Sequence, residues 1–248
     1  MIHYHGSPIT PETAALVAYE AGHAFISFRE PRNLGLAISV CQSFAIDNGA
    51  FSAWKDGEPI TDWHPFYDWA DEARLIPSCD FAVIPDVIDG DEAANDKLLD
   101  EWPLGKFHGA PVWHMHESLD RLRRLVAEWP RVCIGSSGQF ARVKSLGWWQ
   151  RMNDAMGVAC DDQGRPLTKL HGLRMLDPEV FTRFPFSSVD STNIGQNVGI
   201  DVAWRGTYPP STKEARAAVM RGRIEKFNAP ARYAGPHVPE TPAQGSLL

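Results

Sequence analysis

The stretch APVWHMHESLDRLRRLVAEWPRVCIGSS, residues 110–137, decides the fold that the sequence predicts. It begins with a short apolar run that favours a strand, continues from Ser118 to Trp129 with helical spacing, and returns to a second apolar run at Arg131. A strand, a helix and a second strand in this order are typical of a parallel sheet. The same alternation occurs along most of the chain.

Eight apolar runs of this kind occur, and each ends in polar or glycine residues. They begin at Ile2, His23, Gln42, Phe81, Ala110, Arg131, Leu170 and Ser187. Predicted helices between the runs are Pro11 to Ala21, Trp63 to Leu75, Asp91 to Trp102, Ser118 to Trp129, and Phe140 to Met156. Eight strands separated by helices in a chain of 248 residues predict an α/β protein with one domain, a single (β/α)8 TIM barrel.

The end of the chain differs from the rest in charge and composition. Between Trp204 and Arg232 there are seven basic and two acidic residues, a local balance of +5. We therefore assign residues 1–228 to the barrel with a basic C-terminal helical segment, and 229–248 to a Pro/Gly-rich tail that we expect to be poorly ordered. The basic segment is either a solvated helix face or a contact with a nucleic-acid backbone. The arginines that would make that contact are Arg205, Arg216, Arg221 and Arg223.

Composition excludes several classes of protein. The net charge of −7 argues against indiscriminate binding of nucleic acid. The four cysteines are far apart and form no CxxC pair, so neither a compact zinc site nor a disulfide framework is expected. No apolar stretch is long enough for a membrane helix, and the N-terminus does not resemble a signal peptide. The sequence therefore predicts a cytoplasmic protein without a metal or a cofactor.

Candidate catalytic residues follow three of the predicted strands. Asp47 ends the third strand, Asp86 the fourth and Asp190 the eighth. A single Asp after a strand is more often a helix cap or a turn residue, but strand ends in a barrel converge on one mouth. Carboxylates brought together there can act as a nucleophile and as a general acid or base. The three Asp residues therefore predict an active site.

Five segments carry a resemblance to a known family. They are FAIDNGAFSAW (44–54), VIPDVIDGD (83–91), CIGSSGQF (133–140), HGLRML (171–176) and SSVDSTNIGQN (187–197). In this order the chain resembles the tRNA-guanine transglycosylases and, more closely, the compact 7-deazaguanine DNA transglycosylases of phages and of bacterial DNA-modification clusters. In this family a base in a polynucleotide is exchanged through a covalent glycosyl-enzyme intermediate.

The resemblance implies a role for each matched position. Asp190 would be the nucleophile, Asp47 the acid and base, and Asp86 the residue that recognises guanine. Further base-binding positions would be Asn48, Gly49, Phe51, His114, His116, Gly135, Ser136 and Gly172. Two departures are evident, because Ser136 and Ser137 replace part of a glycine loop and no cysteine follows Cys160. Without the cysteines of the zinc site in the tRNA enzymes, DNA is a more plausible substrate than tRNA, together with a 7-deazaguanine base such as preQ0.

Two other interpretations are open. His3 and His5 on the first strand and His114 and His116 on the fifth could bind a metal, with Asp190 as a further ligand, as in metal-dependent amidohydrolase barrels. The chain could also be a catalytically silent barrel that binds nucleic acid. The sequence does not predict the oligomeric state.

Overall fold

The computed structural model describes residues 1–199, 204 and 208–236, and it contains a nearly closed barrel of parallel strands with helices around it. The strands are β1 (Ile2–Gly6), β2 (His23–Ser27), β3 (Ser43–Asp47), β4 (Cys79–Val83), β5 (Gly109–Ala110), β6 (Val112–His114), β7 (Arg131–Gly135), β8 (Lys169–Gly172) and β9 (Ser188–Ser191). Their order in the sheet is β5-β4-β3-β2-β1-β9-β8-β7-β6, and every pair is parallel. The predicted TIM-like α/β barrel is confirmed.

The fifth predicted strand is divided in two. β5 pairs with β4 and β6 pairs with β7, and only Pro111 lies between them. Proline has no N–H group to donate to a neighbouring strand, which interrupts the ladder at this point. Because β5 and β6 together occupy one position, the nine strands fill the eight positions of the predicted barrel.

Helices surround the sheet. In the described residues they are α1 (Glu12–Tyr19), α2 (Leu34–Val40), α3 (Ala50–Lys55), α4 (His64–Ala73), α5 (Glu92–Glu101), α6 (Leu119–Glu128), α7 (Leu146–Ala159), α8 (Pro178–Phe181), α9 (Asn193–Asn197) and α10 (Lys213–Glu225). Short 3-10 turns occupy Pro31–Asn33 and Gly138–Phe140. None of these helices combines the length and the apolar character needed to cross a lipid bilayer.

The start of α7 corrects one predicted helix. The sequence predicts a helix from Phe140, but α7 begins at Leu146. Lys144 has a φ of 67°, in the left-handed region, which a helix cannot continue through. The side chain of Ser145 then accepts a hydrogen bond from the N–H of Trp148 and caps the new helix.

The core has two layers. A small cluster fills the inside of the barrel, with Tyr4, Phe25, Phe81 and Cys133 among its members. A larger cluster lies between the outer face of the sheet and the helices. Because successive residues of a strand point to opposite faces, most strands contribute side chains to both the inside and the outside of the barrel.

The basic helix α10 packs against α1. The buried guanidinium of Arg216 donates to the carbonyl oxygens of Pro210 and Val198. Arg221 donates to Glu225 and to the carbonyl oxygens of Val17 and Glu20. Arg216 is buried, which argues against its predicted contact with a nucleic-acid backbone. Arg221 keeps part of its surface, so its predicted contact stays a prediction.

Arg223 and Arg205 are the other two arginines predicted to contact a nucleic-acid backbone. Arg223 is exposed on α10, with its guanidinium carbon 5.5 Å from the ring centroid of Trp204. Arg205 lies outside the described residues.

Tyr233, in the predicted tail, contacts the rest of the fold at three residues. The hydroxyl of Tyr233 donates to Asn153 at 2.9 Å, and its ring stacks on Phe184 with the centroids 6.3 Å apart. Its backbone N–H also bonds to the carbonyl of Gly164. Tyr233 therefore packs on the rest of the fold, the expected poor order of the tail stays a prediction, and residues 237–248 lie outside the described residues.

Candidate active site

A cavity of about 850 Å³ opens at the carboxyl ends of the strands. Asp47, Asp86 and Asp190 all line it, as the convergence of strand ends predicts. The other predicted site residues that line it are Asn48, Phe51, His114, Gly135 and Ser136. The cavity therefore brings together most of the positions that the family resemblance implies.

Asp190 is held firmly at the end of β9. It is almost fully buried, and its Oδ1 accepts a hydrogen bond of 3.0 Å from the backbone N–H of Arg174. The Nε2 atom of His171 lies 3.2 Å from the same oxygen. No described residue donates to Oδ2, so that oxygen is left for a ligand in the cavity.

His171 fixes Asp190 from inside the barrel. Its Nδ1 is 2.8 Å from the hydroxyl oxygen of Ser188, and its ring stacks on Phe25. Burial lowers the pKa of His171, although the carboxylate of Asp190 partly opposes the shift. A neutral ring that accepts from Ser188 at Nδ1 donates its Nε2 proton to Asp190. The sequence pattern identified HGLRML as a segment but did not identify this role for His171.

Asp47 has different surroundings. Burial raises the pKa of Asp47 to about 7, and the nearby charges of Asp190 and Asp86 act in the same direction. A hydrogen bond of 3.2 Å from the backbone N–H of Gly49 opposes the shift. A carboxyl group with a pKa near neutrality can both donate and accept a proton at physiological pH.

Asp86 belongs to a hydrogen-bonded group on the other side of the mouth. The amide of Asn48 donates to Asp86 Oδ1 at 2.8 Å and to the carbonyl of Ile84 at 2.9 Å. The Nε2 atom of His114 lies 3.0 Å from Asp86 Oδ2, but the angle does not form a hydrogen bond. The buried Nε2 atom of His114 is therefore a polar group without a described hydrogen-bond partner.

Three predicted base-binding residues do not line the cavity, and each supports it from behind. His116 contacts the hydroxyl of Ser137 through Nδ1 and the carbonyl of Gly90 through Nε2. Gly49 begins α3 with a φ of 79°, a conformation that favours glycine. At Gly172, a Cβ atom would lie about 3.0 Å from the sulfur of Met175. A direct contact of these three residues with a base stays a prediction.

The side chain of Arg174 is the main feature of the site that the sequence did not predict. It lines the cavity, and its guanidinium carbon lies 3.7 Å from the ring centroid of Phe51. Its Nη2 donates to the carbonyl of Ser136 at 3.3 Å. No local sequence pattern distinguishes this arginine, because its contacts come from residues that follow other strands.

The histidine pair of β1 does not take part in the site. Tyr4 points into the barrel, so its neighbours His3 and His5 point outward. His3 contacts the carbonyl of Phe227 at 2.9 Å, and His5 contacts Glu225 at 3.0 Å. The arrangement expected for an amidohydrolase-type metal site is therefore not formed. Among the described residues, no group of three or more His, Cys, Asp or Glu side chains could hold a metal ion.

No protein-family model, curated protein or solved structure matches the chain.

Proposed function

We propose that the protein is a pentosyltransferase that replaces guanine in a polynucleotide with a 7-deazaguanine base. The main support for this proposal is that Asp47, Asp86 and Asp190 line one cavity and that each has different hydrogen-bond partners. Carboxylates in different environments can take different roles in one reaction. The family resemblance implies the same three roles.

Asp190 is suited to be the nucleophile. Its Oδ1 is held by Arg174 and His171, and this orients the carboxylate and leaves Oδ2 available. Oδ2 would attack the anomeric carbon of the guanosine nucleotide, and the electron pair of the glycosidic bond would pass to the departing guanine. The product of this step is a covalent glycosyl-enzyme intermediate.

Asp47 is suited to transfer the protons. With a pKa of about 7, it can give its proton to the departing guanine. The resulting carboxylate then accepts a proton from the incoming 7-deazaguanine, which attacks the anomeric carbon and releases Asp190. Asp47 is protonated again at the end of the cycle, so the exchange needs no cofactor.

Asp86 and His114 would bind the base. A carboxylate can accept hydrogen bonds from both the amino group and the ring N–H of guanine, and the amide of Asn48 holds Asp86 in place. The Nε2 atom of His114, 3.0 Å from Asp86 Oδ2, is a further polar group beside the carboxylate. Since the cavity lies at the barrel mouth, a guanine in a duplex has to leave the base stack to reach it.

DNA is the substrate that we favour over tRNA, because the chain resembles the compact DNA transglycosylases more closely than the tRNA enzymes. The protein would act in the cytoplasm, or in the cytoplasm of the host if a phage encodes it.

Base exchange is tested with the purified protein, guanine-containing DNA or tRNA, and labelled guanine or preQ0. We expect incorporation of label into one polynucleotide, and we expect Asp190→Asn to reduce it about a thousandfold or more, because the amide cannot form the glycosyl intermediate. Asp68→Asn, at an exposed position of α4, is the matched control and should keep full activity.

Binding of the same polynucleotide separates the alternatives. Asp190→Asn should bind as the wild type does, because the substitution changes one atom of a buried group. Incorporation that survives in Asp190→Asn would refute the proposed nucleophile. Binding without incorporation in the wild type would favour the silent nucleic-acid-binding barrel.

A further inference from the structure

Arg174 crosses the mouth of the barrel. Arg174 follows β8. Its guanidinium lies on the ring of Phe51, which belongs to α3 and therefore follows β3. Three strands, β9, β1 and β2, separate β8 from β3 in the sheet. The side chain therefore extends over the cavity from one side of the barrel to the opposite side.

The backbone of Arg174 is in a conformation that favours glycine. Its φ is 58°, in the left-handed region that residues with a Cβ atom rarely adopt. This conformation accompanies the hydrogen bond from its N–H to Asp190. A glycine would provide the same backbone contact with less strain, so the backbone contact alone does not account for an arginine at this position.

The guanidinium group has spare hydrogen-bonding capacity. Of its five N–H donors, one bonds to a described residue, the carbonyl of Ser136 at 3.3 Å. It forms no ion pair with a carboxylate of the described residues. The other cations that line the cavity differ, because Arg29 pairs with Asp56 and Glu58, and Lys55 is exposed. Among the described residues that line the cavity, Arg174 is thus an inward cation that remains available for an anionic ligand.

We propose that Arg174 binds the phosphodiester next to the nucleotide whose glycosidic bond Asp190 attacks. The inference rests on the proposed function. A polynucleotide necessarily carries negative phosphates close to its sugar, and Asp190 and Asp47 would repel them unless a cation lay between. The planar fork of arginine matches the oxygen atoms of a phosphate.

The position of Arg174 favours the sugar end of the substrate over the base end. Its backbone bonds directly to Asp190, the residue that would attack the sugar. Burial lowers the pKa of Arg174, and among the opposing carboxylates Asp190 has the largest effect and Asp86 the smallest. The guanidinium also lies near Phe51 and Ser136, two positions implied for the base, so the test below has to separate contact with the phosphate from contact with the base.

The test compares Arg174→Gly, which keeps the backbone conformation, with Arg174→Lys and with Arg123→Gln on the exposed side of α6 as a control. The substrate is a single-stranded oligonucleotide with one guanosine, made with phosphodiesters or with neutral methylphosphonates beside it. We expect Arg174→Gly to raise KM for the phosphodiester about tenfold or more, through loss of a charged hydrogen bond. The slope of log KM against log salt should fall by about 0.7, the value for one phosphate contact on a single strand.

Methylphosphonates distinguish phosphate binding from a general effect on the site. Methylphosphonates should raise the KM of the wild type and leave the KM of Arg174→Gly unchanged. The KM of Arg174→Lys should change by an intermediate amount, because lysine keeps the charge but lacks the planar guanidinium group. Exchange by the wild type with an unchanged KM in Arg174→Gly would overturn this inference alone. An equal loss on both substrates would overturn it too, because the effect would not depend on the phosphate. Absence of exchange in the wild type would overturn the proposed function and this inference with it.

Discussion

Asp47 and Asp190 lie in the same cavity, yet their hydrogen bonds differ. Asp190 receives contacts from Arg174 and His171, whereas Asp47 receives one long hydrogen bond from the N–H of Gly49. Burial with few donors disfavours the charged form of a carboxyl group. The pKa of Asp47 is therefore raised to about 7, and its protonation state should affect both stability and catalysis.

Replacing Asp47 with Asn should stabilise the protein at high pH. In the unfolded chain this carboxyl ionises near its ordinary pKa of 3.8, whereas in the fold it holds its proton to about pH 7. Stability is therefore lost as the pH rises from about 4 to 7. We expect Asp47→Asn to raise the free energy of unfolding by about 2 kcal/mol at pH 8 and to leave it nearly unchanged at pH 4. Urea unfolding at the two pH values measures the difference.

Asp68→Asn is the control for this measurement and should give the same stability as the wild type at both pH values, because Asp68 is exposed. The same Asp47→Asn protein should not catalyse exchange. An equal effect of Asp47→Asn at pH 4 and pH 8 would contradict the raised pKa.

At the scale of the element, a buried ion pair joins β6 to α6. Glu117 and Arg121 are both buried, and Arg121 Nη1 lies 2.7 Å from Glu117 Oε2. The same oxygen accepts from the backbone N–H of His114, while Oε1 accepts from Asn95. The pair therefore positions the end of β6, which places His114 in the cavity.

Replacing Glu117 with Ala should strongly destabilise the protein. The substitution removes the nearest counter-charge of the buried Arg121 but leaves its pair with Asp96 at 3.0 Å. We therefore expect a loss at the lower end of the range for breaking a buried pair, about 3 kcal/mol. The matched control is Glu128→Ala at the end of α6, where the pair with Lys106 is exposed, and about 1 kcal/mol or less is expected. Urea unfolding of the two variants provides the comparison, and similar losses would show that the buried pair has no special role.

Most elements could be predicted from the sequence because their signals are local. Asp91 and Ser118 were placed at helix starts, and both side chains cap the helices that follow. The predicted start of α7 is wrong because apolar spacing extends back to Phe140, whereas the left-handed backbone of Lys144 interrupts the helix. The short helix α3 was also missed, since Asn48 and Gly49 are typical of a turn.

At the scale of the whole molecule, the sequence predicts which residues the closure of the barrel brings together. Asp47, Asp86 and Asp190 converge because each ends a strand, and a closed sheet places strand ends around one mouth. Contacts between side chains of distant elements cannot be predicted in this way. The reach of Arg174 across the mouth and the burial of Arg216 depend on which surfaces face each other, and no local pattern contains that information.

Helix α10 connects the C-terminal part of the described chain to the first strand, β1. Glu225, at the end of α10, contacts His5 on β1 and Arg221 on its own helix. Burial alone would raise the pKa of Glu225, but the hydrogen bonds from His5 and Arg221 lower it to about 2. The ionised side chain is therefore expected to stabilise the attachment of α10 to the barrel.

Glu225→Gln should remove this stabilisation in a pH-dependent way. The contribution is complete above the ordinary pKa of 4.5 and is lost as the pH falls towards 2, because the unfolded chain binds the proton first. We expect the variant to be about 1–2 kcal/mol less stable than the wild type at pH 6, after allowance for solvent screening, and the difference to shrink at pH 3. Urea unfolding at the two pH values measures it, with Glu72→Gln on the exposed side of α4 as the control. A difference that stayed constant between pH 6 and pH 3 would mean that packing, and not the charge of Glu225, attaches α10 to β1.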